Sequence, residues 1–265
     1  MADVRLVIDP PSPGPWNMAV DEVLLQDAVD NGLATLRFYQ WSEPTLSLGY
    51  FQRYADRQQH AASRNCMIVR RQSGGGAILH DRELTYSLVL PPGDPLTRHP
   101  PRLYEGIHAA FIAVLSTTPA NGTHSALRIR GDDSQLAAAE EPFLCFQRKS
   151  PGDVVLSTDD SSTVLASRDP VWKVLGSAQR RHRGAILQHG SLLVERSPAA
   201  PELPGLHDLD GREIQLQLLV SAVGTELATR LGFRLVPYQL SGELQSAAAE
   251  LANCKYGSPG WTNRR

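Results

Sequence analysis

The chain has 265 residues, of which 42% are hydrophobic and 20% are charged. This composition is typical of a globular protein with a sizeable core, and the formal net charge of −2 argues against wholesale binding to nucleic acid or to a membrane surface. The three cysteines, Cys66, Cys145 and Cys254, are widely spaced, which makes a disulfide framework or a structural zinc site a poor interpretation. No apolar stretch has the length of a signal peptide or a membrane span, so we expect a cytoplasmic protein with reduced thiols.

Hydrophobic periodicity predicts a mixture of strands and helices in the first half of the chain. Strands are expected at Val4–Ile8, Leu36–Gln40, Thr45–Leu48, Met67–Arg70 and Leu84–Leu90. Helices are expected at Trp16–Val29, Tyr54–Ser63 and Leu103–Leu115. Asn31-Gly32 is a plausible end for the first of these helices. The polar stretch Ser116–Glu141 is expected to be a loop with irregular pieces.

The second half begins with strand signals and ends with helical ones. Strands are expected at Val154–Leu156, Thr163–Ala166, Trp172–Gly176, Ala185–Gln188 and Leu192–Glu195. A proline-rich stretch, Ser197–Pro204, separates this strand-rich body (1–196) from a helical part (205–265). Helices are expected there near Glu213–Leu231 and Gly242–Lys255, the second capped by Ser241. Strands mixed with helices, without strict βαβ alternation, indicate an α+β layered domain.

Three consecutive glycines, Gly74–Gly76, directly follow a predicted strand. Because glycine lacks a Cβ atom, the backbone there can adopt positive φ and its N–H groups can approach an anion or a carbonyl closely. Arg70 and Arg71 precede the run, and His80-Asp81 follows it. A bend in a β-hairpin explains the glycines equally well, and no Gly-Lys-Ser/Thr follows, which excludes a phosphate-binding P-loop.

A second unusual segment is KVLGSAQRRHRGAILQHGS, at Lys173–Ser191. Its small residues Gly176-Ser177-Ala178 would let a substrate lie against the backbone. The polar run Gln188–Ser191 interrupts an apolar strand, and burying it without a purpose would be costly. A hydrogen-bonded core histidine and a solvated arginine-rich hairpin tip are the structural alternatives for this segment.

Cys145 stands in the apolar sequence Phe143-Leu144-Cys145-Phe146. It would be a nucleophile if a neighbouring cation stabilised its thiolate. A small, buried, inert side chain is the common fate of a cytosolic cysteine and is the alternative.

Five segments together resemble the lipoate–protein ligase/octanoyltransferase/biotin ligase family. They run in the family's order through nearly the whole chain: NMAVDEVLL (Asn17–Leu25), LRFYQWSEPTLSLGYFQ (Leu36–Gln52), RRQSGGGAILHD (Arg70–Asp81), KVLGSAQRRHRGAILQHGSLLV (Lys173–Val194) and KYGSPGW (Lys255–Trp261). The form RRQSGGG is similar to the lipoate branch. The resemblance implies a single catalytic domain over residues 1–265, with a mixed β-sheet flanked by helices.

The resemblance also implies a tunnel for a fatty or lipoyl chain, lined by the segments Arg70–His80 and Ala185–Leu193, with Lys173 at the acyl carbonyl or the activating group. The substrate-binding residues that it implies are Arg71, Ser73, Gly74, Gly75, Gly76, Ala77, His80, Gly176, Ser177, Ala178, Gln188, His189 and Gly190.

Two activities share this family scaffold. Lipoate ligases adenylate a free acid with ATP and Mg²⁺, whereas octanoyltransferases take the acyl group from acyl carrier protein onto a cysteine. Both then acylate a lysine of lipoyl domains, in oxo-acid dehydrogenase E2 subunits or the glycine cleavage H protein. The transferases carry a Cys-Phe pair before the lysine motif, as Cys145-Phe146 does here, and QHGS at Gln188–Ser191 resembles theirs.

We therefore expect an octanoyltransferase that uses Cys145 and Lys173, needs no cofactor or metal, and docks acidic partners through Arg180, Arg181 and Arg183. An ATP-dependent ligase and a non-catalytic acyl-binding protein are the alternatives. Two departures from the family are the residues Gln147–Ser150 after the Cys-Phe pair and an apparent insertion around Ser157–Pro170.

Overall fold

The computed structural model describes residues 1–120, 125–131, 142–158 and 171–265. Their strands are β1 (Ala2–Ile8), β2 (Ala34–Tyr39), β3 (Thr45–Leu48), β4 (Met67–Arg70), β5 (Ile78–His80), β6 (Glu83–Leu90), β7 (Ser125–Ile129), β8 (Val154–Thr158), β9 (Val171–His182), β10 (Ala185–Leu193) and β11 (Phe233–Pro237). A mixed eight-stranded sheet has the order β11-β1-β2-β6-β10-β9-β8-β7, and a small sheet has the order β4-β3-β5.

Helices flank the large sheet. They are α1 (Gly14–Asn31), α2 (Pro100–Thr117), α3 (Leu206–Asp210), α4 (Leu216–Leu231), α5 (Gly242–Leu251) and α6 (Pro259–Thr262), with 3₁₀ turns at Tyr54–Gln59, Pro95–Arg98 and Cys145–Gln147 and a π-helical turn at Ala252–Tyr256. Within the described residues, no helix is both long enough and apolar enough to span a bilayer.

Two apolar clusters sandwich the central strands. On one face, α2 and α4 pack through Phe111 and Val223 against Tyr86 and Leu88 of β6. On the other face, Leu24 of α1 belongs to a cluster with residues of β2, β6 and β10. Because both faces are covered, every residue of β6 and of β10 is buried. A polar side chain on either strand must therefore find a protein partner or a ligand.

The structure confirms the residues that the sequence predicted to end or cap three of the helices. Gly32 and Gly232 close α1 and α4 in the left-handed conformation, with φ of 69° and 73°, which glycine adopts without steric cost. The hydroxyl of Ser241 caps α5 by accepting a hydrogen bond from the backbone N–H of Leu244. The expected helix Tyr54–Ser63 is instead a 3₁₀ turn at Tyr54–Gln59.

Several expected strands and loops are corrected. The stretch Ser116–Glu141 contains β7, which pairs with β8. The expected strands Ala185–Gln188 and Leu192–Glu195 are joined in one strand, β10, which ends at Leu193. The polar residues between them pair with β6 and β9 and are not looped out. The helical part 205–265 also contributes β11, which pairs with β1. The expected strand Thr163–Ala166 and most of the apparent insertion lie outside the described residues.

Candidate functional site

Cys145 is held in place by its main chain. Its backbone N–H donates to the carbonyl of Ala77 at 2.7 Å, and the N–H of Ala77 donates to the carbonyl of Phe143 at 3.0 Å. This short bridge joins the Cys145 segment to the end of the glycine run. The thiol is half-buried, and the 3₁₀ turn that begins at Cys145 continues into the buried ring of Phe146. The structure thus places Cys145 beside the loop that the sequence marked as unusual.

Lys173 and Asp153 complete a cluster with this thiol. The Nζ atom of Lys173 lies 3.5 Å from Cys145 Sγ and 2.9 Å from Asp153 Oδ2. Lys173 is only 5% exposed and Asp153 only 1%, so the carboxylate compensates an ammonium that would otherwise be buried without a partner. The aromatic ring of Phe146 also contacts Lys173, with its centre 5.2 Å from the ammonium. The cysteine therefore faces a buried cation whose charge is already paired.

Asp153 is fixed by donors on both oxygens. The backbone N–H of Ser150 donates to Oδ2 at 2.7 Å, and the hydroxyl of Tyr104 donates to Oδ1 at 3.2 Å. Burial first, and then the charge of Asp153, raise the pKa of Tyr104, so its hydroxyl stays protonated and remains a donor. Asp153 thus holds Lys173 against the thiol in one position.

Gly176 provides the space that Lys173 occupies. A Cβ atom at position 176 would lie 2.3 Å from Lys173 Cε and 2.7 Å from Nζ. Across the β9–β10 pairing, a Cβ atom at Gly190 would lie 2.3 Å from Ser177 Oγ and 2.7 Å from the carbonyl oxygen of Gly176. Glycine is therefore required at both positions because neighbouring atoms leave no room for a Cβ atom, and not because the backbone turns there.

A narrow cavity opens beside the thiol. It is lined by Met18, Tyr39, Trp41, Arg71, Gly74, Gly75, Ile78, His80, Thr85, Cys145, Phe146, Gly176, Ser177, Ala178, His189, Gly190 and Ser191. These residues come from four adjacent strands of the large sheet (β9, β10, β6 and β2), from β5 and α1, and from three connecting segments: the glycine run, the turn at Cys145 and the residue Trp41 after β2. The cavity therefore runs across the sheet from the cysteine toward the ring of Trp41.

Arg71 is a buried cation at this cavity. Its guanidinium donates to the carbonyls of Gly74 and Gly76, each at 2.7 Å, and to the carbonyl of Ser47 at 2.9 Å. Burial lowers the pKa of Arg71 to about 10, so it still carries its charge at neutral pH. In the described part of the chain no carboxylate pairs with it. Arg71 therefore shapes the glycine run and leaves a net positive charge next to the thiol.

His189 links the glycine run to α1. Its Nδ1 lies 3.1 Å from Asp21 Oδ2, and its Nε2 lies 2.6 Å from Ser73 Oγ. Because a carboxylate can only accept, Nδ1 carries the proton and, in the neutral ring, Ser73 donates to Nε2. Burial tends to raise the pKa of Asp21, but the hydrogen bond from His189 and the charge of Arg37 outweigh it and lower that pKa.

A second polar network lies on the α2 face of the same strands. Gln188 donates to the hydroxyl of Tyr86 at 2.9 Å, and that hydroxyl is 2.6 Å from Ser177 Oγ. Ser177 Oγ is in turn 2.6 Å from His108 Nε2, while His108 Nδ1 donates to the carbonyl of Gly152. Burial lowers the pKa of His108 to about 4, so the ring is neutral at pH 7. Gln188 thus supports the wall of the cavity from behind rather than lining it.

His80 lies on the small sheet with both ring nitrogens engaged. It bonds Ser47 Oγ at 2.8 Å and Glu83 Oε1 at 2.7 Å, and its ring stacks on Trp41 with centres 3.9 Å apart. Burial, partly offset by Glu83, lowers the pKa of His80. His80 is therefore a neutral, fixed part of the cavity wall.

The structure separates the three arginines predicted to dock a partner. Arg180 shares the cavity face of β9, and its guanidinium lies 5.7 Å from the ring centre of Tyr50. Arg181 points to the opposite face and donates to the carbonyl of Thr97. Arg183 occupies the β9–β10 turn with φ of 46°. Among the other predicted positions, Ser73, Gly76, Ala77 and Lys173 support the cavity lining from just behind it.

Sequence reasoning missed Asp21, His108 and Asp153. Asp21 did carry a signal, since it is a charged residue of a predicted helix whose neighbours one turn along, Leu24 and Leu25, are apolar. His108 likewise interrupts the apolar pattern of α2. Asp153 follows a Pro-Gly turn and has no local feature that separates it from an exposed turn residue. Asp153 is recognised as a site residue only in the structure, from its contact with Lys173.

The fold agrees with comparisons to known proteins. The chain belongs to the family described as the lipoyl protein ligase A/B catalytic domain, which matches residues 13–200. The octanoyltransferase LipM of Kyrpidia tusciae is 33% identical to the chain over 94% of each protein. The octanoyltransferase LipM of Brevibacillus brevis is 30% identical, again over 94% of each.

Solved structures confirm the fold class. The bi-partite lipoate protein ligase of Thermoplasma acidophilum superposes with a TM-score of 0.70 at 18% identity, covering 99% of this chain and 97% of that one. A lipoate-protein ligase A bound with ATP gives 0.69 at 20% identity, covering 99% of both chains. At these identities the similarity establishes the mixed sheet flanked by helices and nothing about the reaction.

The close approach at Gly176 predicts a functional rather than a structural defect. In Gly176→Ala, the end of the Lys173 side chain must leave its present position beside Cys145, while the backbone can remain in place. We expect alkylation of Cys145 by iodoacetamide, followed by mass spectrometry of its peptide, to slow about 10- to 100-fold at pH 7. The free energy of unfolding in urea should fall by no more than about 1.5 kcal/mol. Gly242→Ala, at an open position, should change neither; an unchanged rate in Gly176→Ala would contradict the assignment.

The neutral ring of His108 predicts a pH dependence of stability. The unfolded chain takes up a proton near pH 6.5, whereas the folded chain keeps His108 neutral until about pH 4. Stability is therefore lost as the pH falls through this window, by about 3 kcal/mol from this group. Urea unfolding between pH 7 and 4 should show a shallower pH dependence for His108→Gln than for the wild type. Parallel curves for the two proteins would disprove the buried neutral histidine.

Proposed function

We propose that this protein is an octanoyltransferase that carries an octanoyl group on Cys145 and passes it to a lysine of a lipoyl domain. The observation that carries the proposal is the contact between Cys145 Sγ and Lys173 Nζ at 3.5 Å, at the open side of a largely apolar cavity. The curated relatives named octanoyltransferase LipM, which match over nearly the whole chain, support it. Under this proposal the reaction needs no ATP and no metal.

The acyl chain would lie in the cavity. The lining crosses four neighbouring strands, from Gly176 on β9 to Tyr39 on β2. At about 4.8 Å between strands this is about 14 Å, which accommodates an extended eight-carbon chain. Its walls are mainly apolar or aromatic, with Met18, Trp41 and Ile78 among them, so burial of methylene groups would supply the binding energy.

In the first half-reaction the Cys145 sulfur attacks the thioester carbonyl of octanoyl-acyl carrier protein. The ammonium of Lys173 gives a proton to the sulfur of the carrier, which leaves as a thiol, and takes up the proton of the Cys145 thiol in its place. One thioester is broken and one is formed, so the step is close to isoenergetic. Backbone N–H groups of Gly74 and Gly75 are the proposed donors to the oxyanion of the tetrahedral intermediate.

Arg71 balances the charge of this step. Lys173 and Asp153 together are neutral, so a Cys145 thiolate adds one uncompensated negative charge to a buried site. Arg71 has no carboxylate partner among the described residues and lines the same cavity. Its charge makes the group of four neutral when the thiolate or the oxyanion is present. We therefore assign to Arg71 the stabilisation of negative charge, in addition to shaping the glycine run.

In the second half-reaction the acceptor lysine attacks the Cys145 thioester as a free amine. The ammonium of Lys173 gives a proton to the sulfur of Cys145 as the thioester breaks, and it takes up the proton that the attacking amine loses as the amide forms. The products are an octanoyl-lysine and the free thiol, so the enzyme is restored without a further reactant. The lysine of a lipoyl domain must therefore reach the same opening as the acyl carrier.

Intact-mass measurement tests the proposed function. The wild type, incubated with octanoyl-acyl carrier protein, should gain one octanoyl group, and Cys145→Ala should gain none. Adding a lipoyl domain should then remove the adduct and acylate the domain. Acylation that requires ATP and survives Cys145→Ala would establish a lipoate ligase instead. Tight binding of octanoate without acylation of any protein would leave a non-catalytic acyl-binding protein.

The charge balance predicts different effects for two substitutions of Arg71. Both Arg71→Lys and Arg71→Gln lose the guanidinium hydrogen bonds, but only Arg71→Gln removes the charge. The rate of Cys145 alkylation by iodoacetamide at pH 7 should fall about tenfold in Arg71→Gln, because the reacting thiolate loses a compensating charge. It should stay much closer to the wild-type rate in Arg71→Lys. Equal rates in the two variants would show that Arg71 acts only through the shape of the loop.

A further inference from the structure

One side of the cavity opening carries a cluster of arginines stacked on aromatic rings. We call it the arginine–aromatic patch and define it by five residues: Tyr50, Phe51, Arg180, Arg264 and Arg265. Phe51 is 67% exposed, and Arg264 and Arg265 are exposed as well. The members come from the loop after β3, from β9 and from the segment after α6, so the fold brings together what the sequence keeps far apart.

Stacking fixes the patch without neutralising it. The guanidinium of Arg264 lies 4.3 Å from the ring centre of Tyr50 and donates to its hydroxyl at 2.7 Å. Arg265 lies 5.3 Å from the ring centre of Phe51, and Arg180 lies 5.7 Å from that of Tyr50. A guanidinium that lies over a ring still has N–H groups that can donate to a carboxylate or a phosphate.

The patch is a concentration of like charge. Among the described residues, no Asp or Glu side chain forms an ion pair with Arg180, Arg264 or Arg265. Burial, and then the charges of Arg264 and Arg265, lower the pKa of Arg70 beneath them. The hydrogen bond from Arg264 and the charges of the patch lower the pKa of Tyr50. The patch thus has the positive potential that favours binding of an anion.

The patch borders the catalytic cavity. The backbone N–H of Tyr50 donates to the carbonyl of Ser73 at 2.9 Å, and the ring of Phe51 lies against Gly74, which lines the cavity. Arg70 fixes this arrangement, because its buried guanidinium donates to the carbonyls of Gly49 and Gln52 and to that of Thr262. A molecule bound to the patch would be next to the opening.

We propose that the arginine–aromatic patch is the docking surface for the acyl donor, an acidic carrier protein whose thioester arm is attached through a phosphodiester. This inference rests on the proposed function, which requires such a donor. The phosphodiester and the acidic side chains around it would receive the free edges of Arg180, Arg264 and Arg265, while the acyl end of the arm enters beside Gly74. Planar guanidinium groups bind phosphate and carboxylate oxygens in pairs.

Charge favours the donor over the acceptor at this surface. The acceptor presents a lysine, whose ammonium is repelled by the three arginines of the patch, whereas the donor presents a neutral thioester behind a phosphate. The patch should therefore accelerate acylation of Cys145 more than transfer to the lipoyl domain. Because steering by exposed charges is screened by salt, this advantage should shrink at higher ionic strength.

The test compares a double substitution in the patch with a matched control. Arg264→Gln/Arg265→Gln removes two charges from the patch, and Arg264→Lys/Arg265→Lys retains them. Arg230→Gln/Arg234→Gln removes two charges elsewhere, from arginines that already pair with Glu226 and Asp3. Each protein is assayed for acylation by octanoyl-acyl carrier protein and for acylation by octanoyl-pantetheine, which has no phosphate. Binding of fluorescently labelled holo-carrier protein and transfer of the octanoyl group from Cys145 to a lipoyl domain are measured as well.

We expect kcat/KM for octanoyl-acyl carrier protein to fall about tenfold in the patch variant at low salt, with a weaker dependence on salt. Its rate with octanoyl-pantetheine, and both rates of the control, should stay within about twofold of the wild type. The lysine variant should keep most of its activity with the carrier. Holo-carrier binding should weaken about tenfold in the patch variant alone.

Three results would overturn the proposal outright: unchanged binding of the holo-carrier, equal losses of activity with both donors, or equal losses in the control variant. A fourth, a larger loss in transfer to the lipoyl domain, would also overturn it and would assign the patch to the acceptor.

The binding assay separates this inference from the proposed function. Carrier binding that depends on the patch, in a protein that forms no acyl-enzyme with either donor, would refute the transferase and leave the docking surface standing.

Discussion

The buried carboxylate of Asp21 is the interaction on which the site depends. It accepts hydrogen bonds from Arg37 on β2 at 3.0 Å, from Ser87 on β6 at 2.9 Å and from His189 on β10 at 3.1 Å. One charge on α1 therefore sets the position of three strands at the level of the cavity. Through His189 it also orients Ser73, the residue that precedes the glycine run. Without these donors, a carboxylate that is 1% exposed would be too costly to bury.

The sequence predicted the strands and helices whose own pattern of apolar and turn-forming residues matches the burial they have in the fold. The strands Thr45–Leu48 and Met67–Arg70 match the structure at both ends, and α1 and α4 end at their glycines. The strand β11 was missed because it is short, partly exposed and next to the end of α4. Its existence depends on pairing with β1, more than 200 positions earlier. Non-local pairing of this kind leaves little trace in a local pattern.

For the site, residue chemistry alone suggested the two segments but not their relation. The glycine run and the polar residues of β10 were ambiguous, and resemblance to a family was needed to join them to Cys145 and Lys173. Asp153 and the arginine–aromatic patch escaped both kinds of reasoning, because their meaning lies in what surrounds them. Arg180 was correctly selected as a basic residue, yet its neighbours in the sequence, Arg181 and Arg183, are not its neighbours in space.

The main-chain bridge between Cys145 and Ala77 has a consequence for how this site tolerates change over evolution. Because the backbone of Cys145 is fixed by hydrogen bonds to Ala77, the unusual run Gln147–Ser150 leaves the nucleophile where it is. A distant relative could differ throughout that run and keep the reaction. Such a relative would be found by asking which residue faces the end of the glycine run, and not by matching the letters around a cysteine.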